Sequence, residues 1–126
     1  MSKEATLREE ICLLGRSIFD RGLTHGSTGN ISARIADGWL LTPTGSNLGR
    51  LDPARLSKLD WEGTLLSGDP PSKESLLHLG MYREQPSNGA VVHLHSTHSV
   101  AVSILDDVDP RDVLPPMTAY LSLIHI

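Results

Sequence analysis

The chain has little of what builds a disulfide framework or a nucleic-acid surface. Its 126 residues include one cysteine, Cys12, which excludes an intrachain disulfide. Cys12 falls on the apolar side of a helical pattern, so we interpret it as a core residue rather than a reactive thiol. The formal charge is -4, and no run of like charge exceeds two residues. This charge pattern argues against nucleic-acid binding.

Long apolar segments are also missing. No apolar run approaches the length needed to cross a bilayer, and Lys3 and Glu4 occupy positions where a signal peptide would have its apolar stretch. We therefore predict no membrane association and a cytoplasmic location. The length fits a single domain, and no internal repeat or linker divides the chain.

What is present is an alternation of helical and strand-like patterns. Leu7, Ile11, Leu14 and Ile18 recur at helical spacing, and Gly22 is expected to end that helix. Two short apolar stretches joined by Asp37-Gly38 predict a hairpin. Further elements are predicted in the rest of the chain: a short helix or turn from Asp52-Pro53, a strand at 61–66, a helix capped by Ser72, a strand at 90–95 and a helix at 100–105.

His93 and His95 are two residues apart on a predicted strand. Side chains at this spacing leave the same face, so both imidazoles could bind one metal ion. Neighbouring apolar residues favour the neutral, metal-binding form. The alternative, that His93 and His95 are ordinary core or surface residues, is equally consistent with this spacing.

Three other segments carry groups that suit an anion or a metal. Glu74 follows the Pro70-Pro71 turn at the start of a helix, where it is either a capping residue or a functional carboxylate. Gly29-Asn30 and the loop at 42–46 offer backbone N–H groups and hydroxyls for a phosphate, although each could be a simple turn. Their combination with Ser72, Lys73 and the histidines favours a functional site.

Four motifs, in this order, resemble the class II aldolase and adducin superfamily. They are Gly-Asn-Ile-Ser at 29–32, Thr-Pro-Thr-Gly at 42–45, Ser-Lys-Glu at 72–74 and Val-Val-His-Leu-His-Ser at 91–96. The resemblance covers residues 7 to 120. Segments 26–32, 48–53, 95–100 and 114–120 are similar to the branch of 3-oxo-tetronate 4-phosphate decarboxylases.

The resemblance implies an α/β fold, a three-layer αβα sandwich with a mostly antiparallel central sheet. It also implies a homo-oligomer, by family resemblance a tetramer, with Tyr120 near a neighbouring subunit's site. Glu74 would be the acid/base residue and a metal ligand, with His93 and His95 as two zinc ligands. The substrate phosphate would be held by six residues: Gly29, Asn30, Thr44, Gly45, Ser72 and Lys73. Lys73 replaces a serine of fuculose-phosphate aldolase and keeps an anion contact.

Three other histidines, His25, His78 and His98, match no ligand of the family. We expect them to be structural or solvent-facing. His125 is not assigned a ligand role, because the tail around it does not resemble the family.

The chain departs from the family in its C-terminal part. Family members are longer, and their third zinc histidine comes well after the His-x-His strand, so we expect this chain to be truncated and to lack that ligand. Residues 1–120 are interpreted as the N-terminal part of a class II aldolase-like domain. Residues 121–126 are interpreted as a non-native tail. Their sequence, Leu-Ser-Leu-Ile-His-Ile, is the translation of a transposon-end DNA used in preparing sequencing libraries.

The activity implied by the resemblance is metal-dependent decarboxylation of a 3-oxo-tetronate 4-phosphate to dihydroxyacetone phosphate and CO2. Zinc would stabilise the negative charge that develops on the substrate oxygens as CO2 leaves. A sugar-phosphate aldolase or epimerase of the fuculose-phosphate aldolase or ribulose-phosphate 4-epimerase type is the alternative. A non-catalytic, adducin-like interaction domain is the rival of another class. As an isolated fragment, the chain is expected to be inactive.

Overall fold

A computed structural model describes residues 2–111 and 113. The chain divides into two compact units, Met1–His95 and Ser96–Ile126. In the second unit, the described residues contain one helix, α3 (Thr97–Ser103). The sequence predictions for Tyr120, His125 and the tail at 121–126 lie outside the described residues.

The first unit contains two helices and five strands. In chain order these are α1 (Lys3–Asp20), β1 (Asn30–Ile35), β2 (Gly38–Leu41), β3 (Ser57–Leu59), β4 (Leu65–Ser67), α2 (Ser75–Glu84) and β5 (Ala90–His93). Short 3-10 helices cover Leu48–Arg50 and Pro53–Arg55, the second capped by the Asp52 side chain as predicted. Among the described residues, no helix combines the length and apolar character that a membrane crossing requires.

The five strands form one sheet in the order β4-β3-β2-β1-β5, and every neighbouring pair is antiparallel. The predicted hairpin is confirmed as β1 and β2. β5 pairs with the other edge of β1, and Asn30 lies opposite His93 in that register. The strands at 30–35 and 90–93 therefore lie in one sheet.

Each face of the sheet carries a hydrophobic cluster, and residues of β2 alternate between the two. On one face, Ile31 and Leu40 pack with Ile11 and Ile18 of α1. On the opposite face, a second cluster brings β-strand residues against α2: Trp39, Leu41, Leu59, Val91, Leu79 and Tyr82. A helix thus covers each face, as in the predicted three-layer sandwich. Cys12 packs at the edge of the first cluster as expected, and its burial raises the pKa of its thiol.

The predicted strand at 61–66 is wrong. The Asp60 carboxylate accepts hydrogen bonds from the backbone N–H groups of Glu62 and Thr64, and Gly63 has a φ of 90°. These bonds close a tight turn between β3 and β4, which is the local alternative that Asp offers to a strand. The apolar residues of that segment are therefore divided between the turn and β4.

Three predicted boundaries also move. α2 begins at Ser75 with Glu74 at its N-cap, whereas Ser72 accepts a hydrogen bond from the Glu74 N–H in the preceding turn. β5 ends at His93, so His95 lies beyond the strand. The helix expected at 100–105 is α3, which starts and ends earlier.

Candidate metal and anion site

Glu74, His93 and His95 lie together at the end of β5 and the start of α2. One ligand atom from each residue lies within 4.8 Å of the other two. His93 Nδ1 is 3.3 Å from Glu74 Oε2, and His95 Nε2 is 3.8 Å from Glu74 Oε1. The two imidazole rings have centroids 4.8 Å apart. The predicted proximity of these three side chains is confirmed.

Local structure explains why the three side chains meet. β5 pairs with β1 so that His93 is directly opposite Asn30, and α2 starts beside the same strand end. The Glu74 side chain makes no capping bond to α2. Instead, its carboxylate accepts a hydrogen bond from the Asn30 side-chain amide. The helix-capping alternative for Glu74 is therefore not what the structure contains.

The electrostatic environment keeps Glu74 ionised. The hydrogen bond from Asn30 is the main cause that holds the pKa of Glu74 below its ordinary value. Partial burial acts in the opposite direction, while the nearby imidazoles add a smaller lowering effect. A carboxylate in this state can accept hydrogen bonds or bind a cation at neutral pH.

An open groove beside these residues is lined by all six residues predicted to hold a phosphate, together with Glu74 and His95. Gly29 has a φ of 80°, and a Cβ atom there would lie 3.1 Å from the His93 carbonyl oxygen. Gly45 has a φ of 66° and open space around the position of a Cβ atom. Glycine therefore permits close packing at one side of the groove and leaves room at the other.

The loop at 42–46 differs in one respect from the predicted cradle. The Thr44 N–H donates to the carbonyl of Pro70, so this backbone donor is already used. The Thr44 side chain is exposed to the groove, as is that of Lys73. An anion in the groove would therefore meet the side chains of these residues more readily than the Thr44 backbone.

His78 is a site residue that the sequence analysis did not identify. It is fully buried, and its ring nitrogens contact Ser32 Oγ and Asn30 Oδ1. Burial lowers the pKa of His78 to about 4, and the neighbouring His93 adds to this effect. His25 and His98 are exposed, as expected. The sequence relates His78 to the site only through its spacing, because His78 follows Glu74 by one helical turn.

The donor set suits a divalent metal ion. Two imidazoles and one carboxylate form a ligand combination common in catalytic zinc sites. His93 Nδ1 is buried without a hydrogen-bond partner among the described residues, although it lies next to the Glu74 carboxylate. A cation bound between them would satisfy both groups. The residues present therefore fit the metal that the family resemblance implies.

Comparison with known proteins gives consistent similarities. Residues 9–125 match the model of the Class II Aldolase and Adducin N-terminal domain. A 3-oxo-tetronate 4-phosphate decarboxylase of Cupriavidus necator is 52% identical over 120 residues, covering 95% of this chain and 55% of the relative. The L-fuculose phosphate aldolase of Escherichia coli K12 is 41% identical over 85 residues, covering 68% of this chain and 40% of that enzyme.

Among solved structures, YgbL from Escherichia coli superimposes with a TM-score of 0.89 and 51% sequence identity. The alignment covers 94% of this chain and 58% of YgbL. The chain thus spans about half the length of the curated relatives it matches.

Proposed function

The chain belongs to the class II aldolase and adducin family, and from this premise we propose that its protein is a metal-dependent 3-oxo-tetronate 4-phosphate decarboxylase. One observation carries the proposal. Glu74 and His95, which lie together with His93, open onto the same groove as the six residues predicted to bind a phosphate. A substrate with a phosphate at one end and a β-keto acid at the other fits this pairing of an anion site with a metal site.

We propose Zn²⁺ as the metal, held by Glu74, His93 and His95 with a further ligand from elsewhere in the protein. A divalent metal supplies Lewis-acid polarisation of the substrate carbonyl next to the breaking bond. By the family resemblance the third zinc histidine lies outside residues 1–126, and a three-histidine site that lacks one ligand binds zinc weakly. For this reason residues 1–126 alone are expected to bind zinc weakly and to be inactive.

The groove residues have the task of binding and orienting the substrate. Lys73 and the hydroxyls of Thr44 and Ser72 would hold the phosphate, and Gly45 leaves space for it. Fixing the phosphate places the C2 and C3 atoms near Glu74. Orientation of this kind lowers the barrier by removing the freedom of the reacting groups before the reaction.

Glu74, which would hold the metal only in the resting enzyme, is the proposed proton donor to C2. When the C1–C2 bond breaks, CO2 leaves and its electron pair passes towards the C3 carbonyl. One proton must then be added at C2 to give dihydroxyacetone phosphate. Because Asn30 holds the pKa of Glu74 low, the free carboxylate is ionised and must take up a proton from solvent or a substrate hydroxyl before it can deliver one to C2.

An aldolase is the second candidate, supported by the 41% identity to L-fuculose phosphate aldolase. It would use the same metal and phosphate groups and release an aldehyde instead of CO2. The close grouping of Glu74 with two histidines argues against an adducin-like, non-catalytic domain. We also propose a homotetramer in the cytoplasm.

The product of the intact gene tests the proposal. Purified enzyme with Zn²⁺ is incubated with 3-oxo-tetronate 4-phosphate and, separately, with fuculose 1-phosphate. Stoichiometric CO2 and dihydroxyacetone phosphate from the first substrate are expected. Aldehyde release from the second, without CO2 from the first, would reject decarboxylation in favour of the aldolase. Glu74→Gln and His93→Asn should abolish turnover, and His25→Asn, at an exposed histidine, should not.

A further inference from the structure

A continuous row of hydrogen bonds leads from the interior of the first unit to the candidate metal site. The Tyr82 hydroxyl is 2.8 Å from Ser32 Oγ, which is 2.7 Å from His78 Nδ1. The other ring nitrogen of His78 contacts Asn30 Oδ1, and the Asn30 amide contacts Glu74. Four of these side chains are buried, and the carboxylate at the end reaches the groove.

The elements explain how this row is assembled. Asn30 and Ser32 alternate along β1 and point to the face covered by α2. Glu74, His78 and Tyr82 are each one helical turn apart at the start of and along α2. The face of the sheet that carries Asn30 therefore meets one face of the helix.

The chemistry of the end groups fixes the direction of every hydrogen bond. An ionised Glu74 can only accept, so the Asn30 NH2 group must point to it and Asn30 Oδ1 must point to His78. His78 is neutral at pH 7, because burial lowers its pKa to about 4. Its Nε2 must therefore carry the proton that is donated to Asn30, and its Nδ1 must accept from Ser32. The Ser32 oxygen in turn accepts from the Tyr82 hydroxyl.

We infer that His78 is a positioning residue, which holds the Asn30 amide towards Glu74 and Ser72 by donating a hydrogen bond from Nε2 to Asn30 Oδ1. The Asn30 Nδ2 is also 3.4 Å from Ser72 Oγ, so one amide group links the metal side and the phosphate side of the groove. Without the His78 donor, the amide can rotate by half a turn and place its oxygen against the Glu74 carboxylate. Two acceptors would then face each other, and the carboxylate would lose its fixed position.

The tautomer of His78 is the direct test, and it needs neither substrate nor turnover. The product of the intact gene is labelled with ¹⁵N-histidine, and long-range ¹H–¹⁵N correlations are recorded at pH 7. The expected result is a neutral His78 ring protonated at Nε2. The signals of His78 are assigned by their absence from the spectrum of His78→Gln. A ring protonated at Nδ1, or a charged ring, would overturn the inference.

A pair of variants separates positioning from simple structural support. Glutamine can place its amide nitrogen near the Nε2 position and keep the donor, whereas leucine fills the space without one. Outer partners of metal ligands typically change metal affinity or activity by about 10–100-fold. We expect His78→Leu to lose about tenfold or more in Co²⁺ affinity, followed by its absorption spectrum, and His78→Gln to lose less than about threefold.

The matched control is Leu79→Ala, a buried neighbour on α2 that has no part in the row. It should lower stability as His78→Leu does, but leave Co²⁺ affinity unchanged. The positioning role would be rejected if His78→Gln and His78→Leu lost Co²⁺ affinity equally, and if Leu79→Ala lost it too in proportion to its stability. If His78→Leu fails to fold, the tautomer of His78 is measured in Ser32→Ala instead. This variant removes the hydroxyl that donates to His78 Nδ1, so the preference for a proton on Nε2 should be lost.

The effect on turnover rests on the proposed function, and there we expect kcat to fall more than KM rises in His78→Leu. Failure of the proposed decarboxylation and failure of the positioning role of His78 give different results. An inactive wild-type enzyme with the expected tautomer and Co²⁺ results would reject the proposed reaction alone. The wrong tautomer in an active decarboxylase would reject the positioning role alone.

Discussion

His93 Nδ1 lies 3.3 Å from Glu74 Oε2, yet the geometry between the two atoms is not that of a hydrogen bond. A buried ring nitrogen normally has a hydrogen-bond partner. Here the Nδ1 atom and the carboxylate oxygen lie side by side with no hydrogen bond between them. Such an arrangement is stabilised by a cation.

Metal removal should therefore lower stability. At a free Zn²⁺ concentration 100 times Kd, a ligand that binds only the folded state adds about 2.7 kcal/mol to the free energy of unfolding. We expect a higher melting temperature with Zn²⁺ than with a chelator, measured by calorimetry on the product of the intact gene. His93→Ala should remove the difference, whereas His25→Ala should keep it. An unchanged melting temperature in the wild-type protein would contradict the metal site.

Stability should fall in mild acid because of His78. Its pKa is depressed from 6.5 to about 4 in the folded state, so the unfolded chain binds more protons between these values. The contribution is therefore complete above pH 6.5 and is lost as the pH falls to about 4. At about 1.4 kcal/mol per pKa unit, the loss reaches about 3 kcal/mol.

Denaturant unfolding with chelator present, at several pH values between 7 and 4, measures this effect. His78→Gln cannot titrate in this range, so its stability should depend less on pH than that of the wild-type protein. The other histidines are common to both proteins and cancel in the comparison. If stability depended on pH equally in the wild-type protein and in His78→Gln, His78 would not be a buried, neutral residue in the folded state.

Gly29→Ala should be destabilising for two separable reasons. The φ of 80° costs an L-residue about 1–2 kcal/mol. A Cβ atom there would also lie 3.1 Å from Leu94 Cδ2 and 3.2 Å from Thr24 Oγ1. Gly22→Ala is the matched control, because Gly22 has a φ of 70° and no atom within 4 Å of its Cβ position. We expect Gly29→Ala to cost about 1–3 kcal/mol more by denaturant unfolding; equal costs would contradict close packing there.

Lys73→Met should weaken substrate binding without altering the fold. Lys73 is exposed at the groove, and a hydrogen bond between charged groups contributes about 1.5–3 kcal/mol. We expect KM for the phosphorylated substrate to rise roughly tenfold and its dependence on salt to weaken. Lys3→Met, at an exposed lysine outside the groove, is the control. A KM that does not change would exclude Lys73 from phosphate binding.

The sequence predicted those features that depend on spacing within one segment. His93 and His95 lie close together as their spacing predicted, although His95 comes after the end of β5. Asp37-Gly38 correctly marked the hairpin between β1 and β2. The strand at 61–66 was wrong because the Asp60 side chain can close a turn, a local competition that apolar patterning does not register. The antiparallel sheet came from family resemblance, since alternating elements alone also suit a parallel one.

His78 could not be assigned for a different reason. Its environment depends on α2 lying over β1, which brings Ser32 and Asn30 to its two ring nitrogens. Neither residue is near His78 in the sequence, and a histidine in a helix has no intrinsic partner. Helical spacing relates His78 to Glu74, but only the packing of helix on sheet shows that Asn30 lies between them.

The register that sets Asn30 opposite His93 also has a consequence for the order of folding events. A shift of one residue between β1 and β5 would turn His93 to the other face of the sheet and separate it from Glu74. The two strands are far apart in the sequence, and such non-local pairings form slowly because the intervening chain must first be closed into a loop. Metal capture during refolding would therefore report the moment at which this distant strand pair reaches its correct alignment.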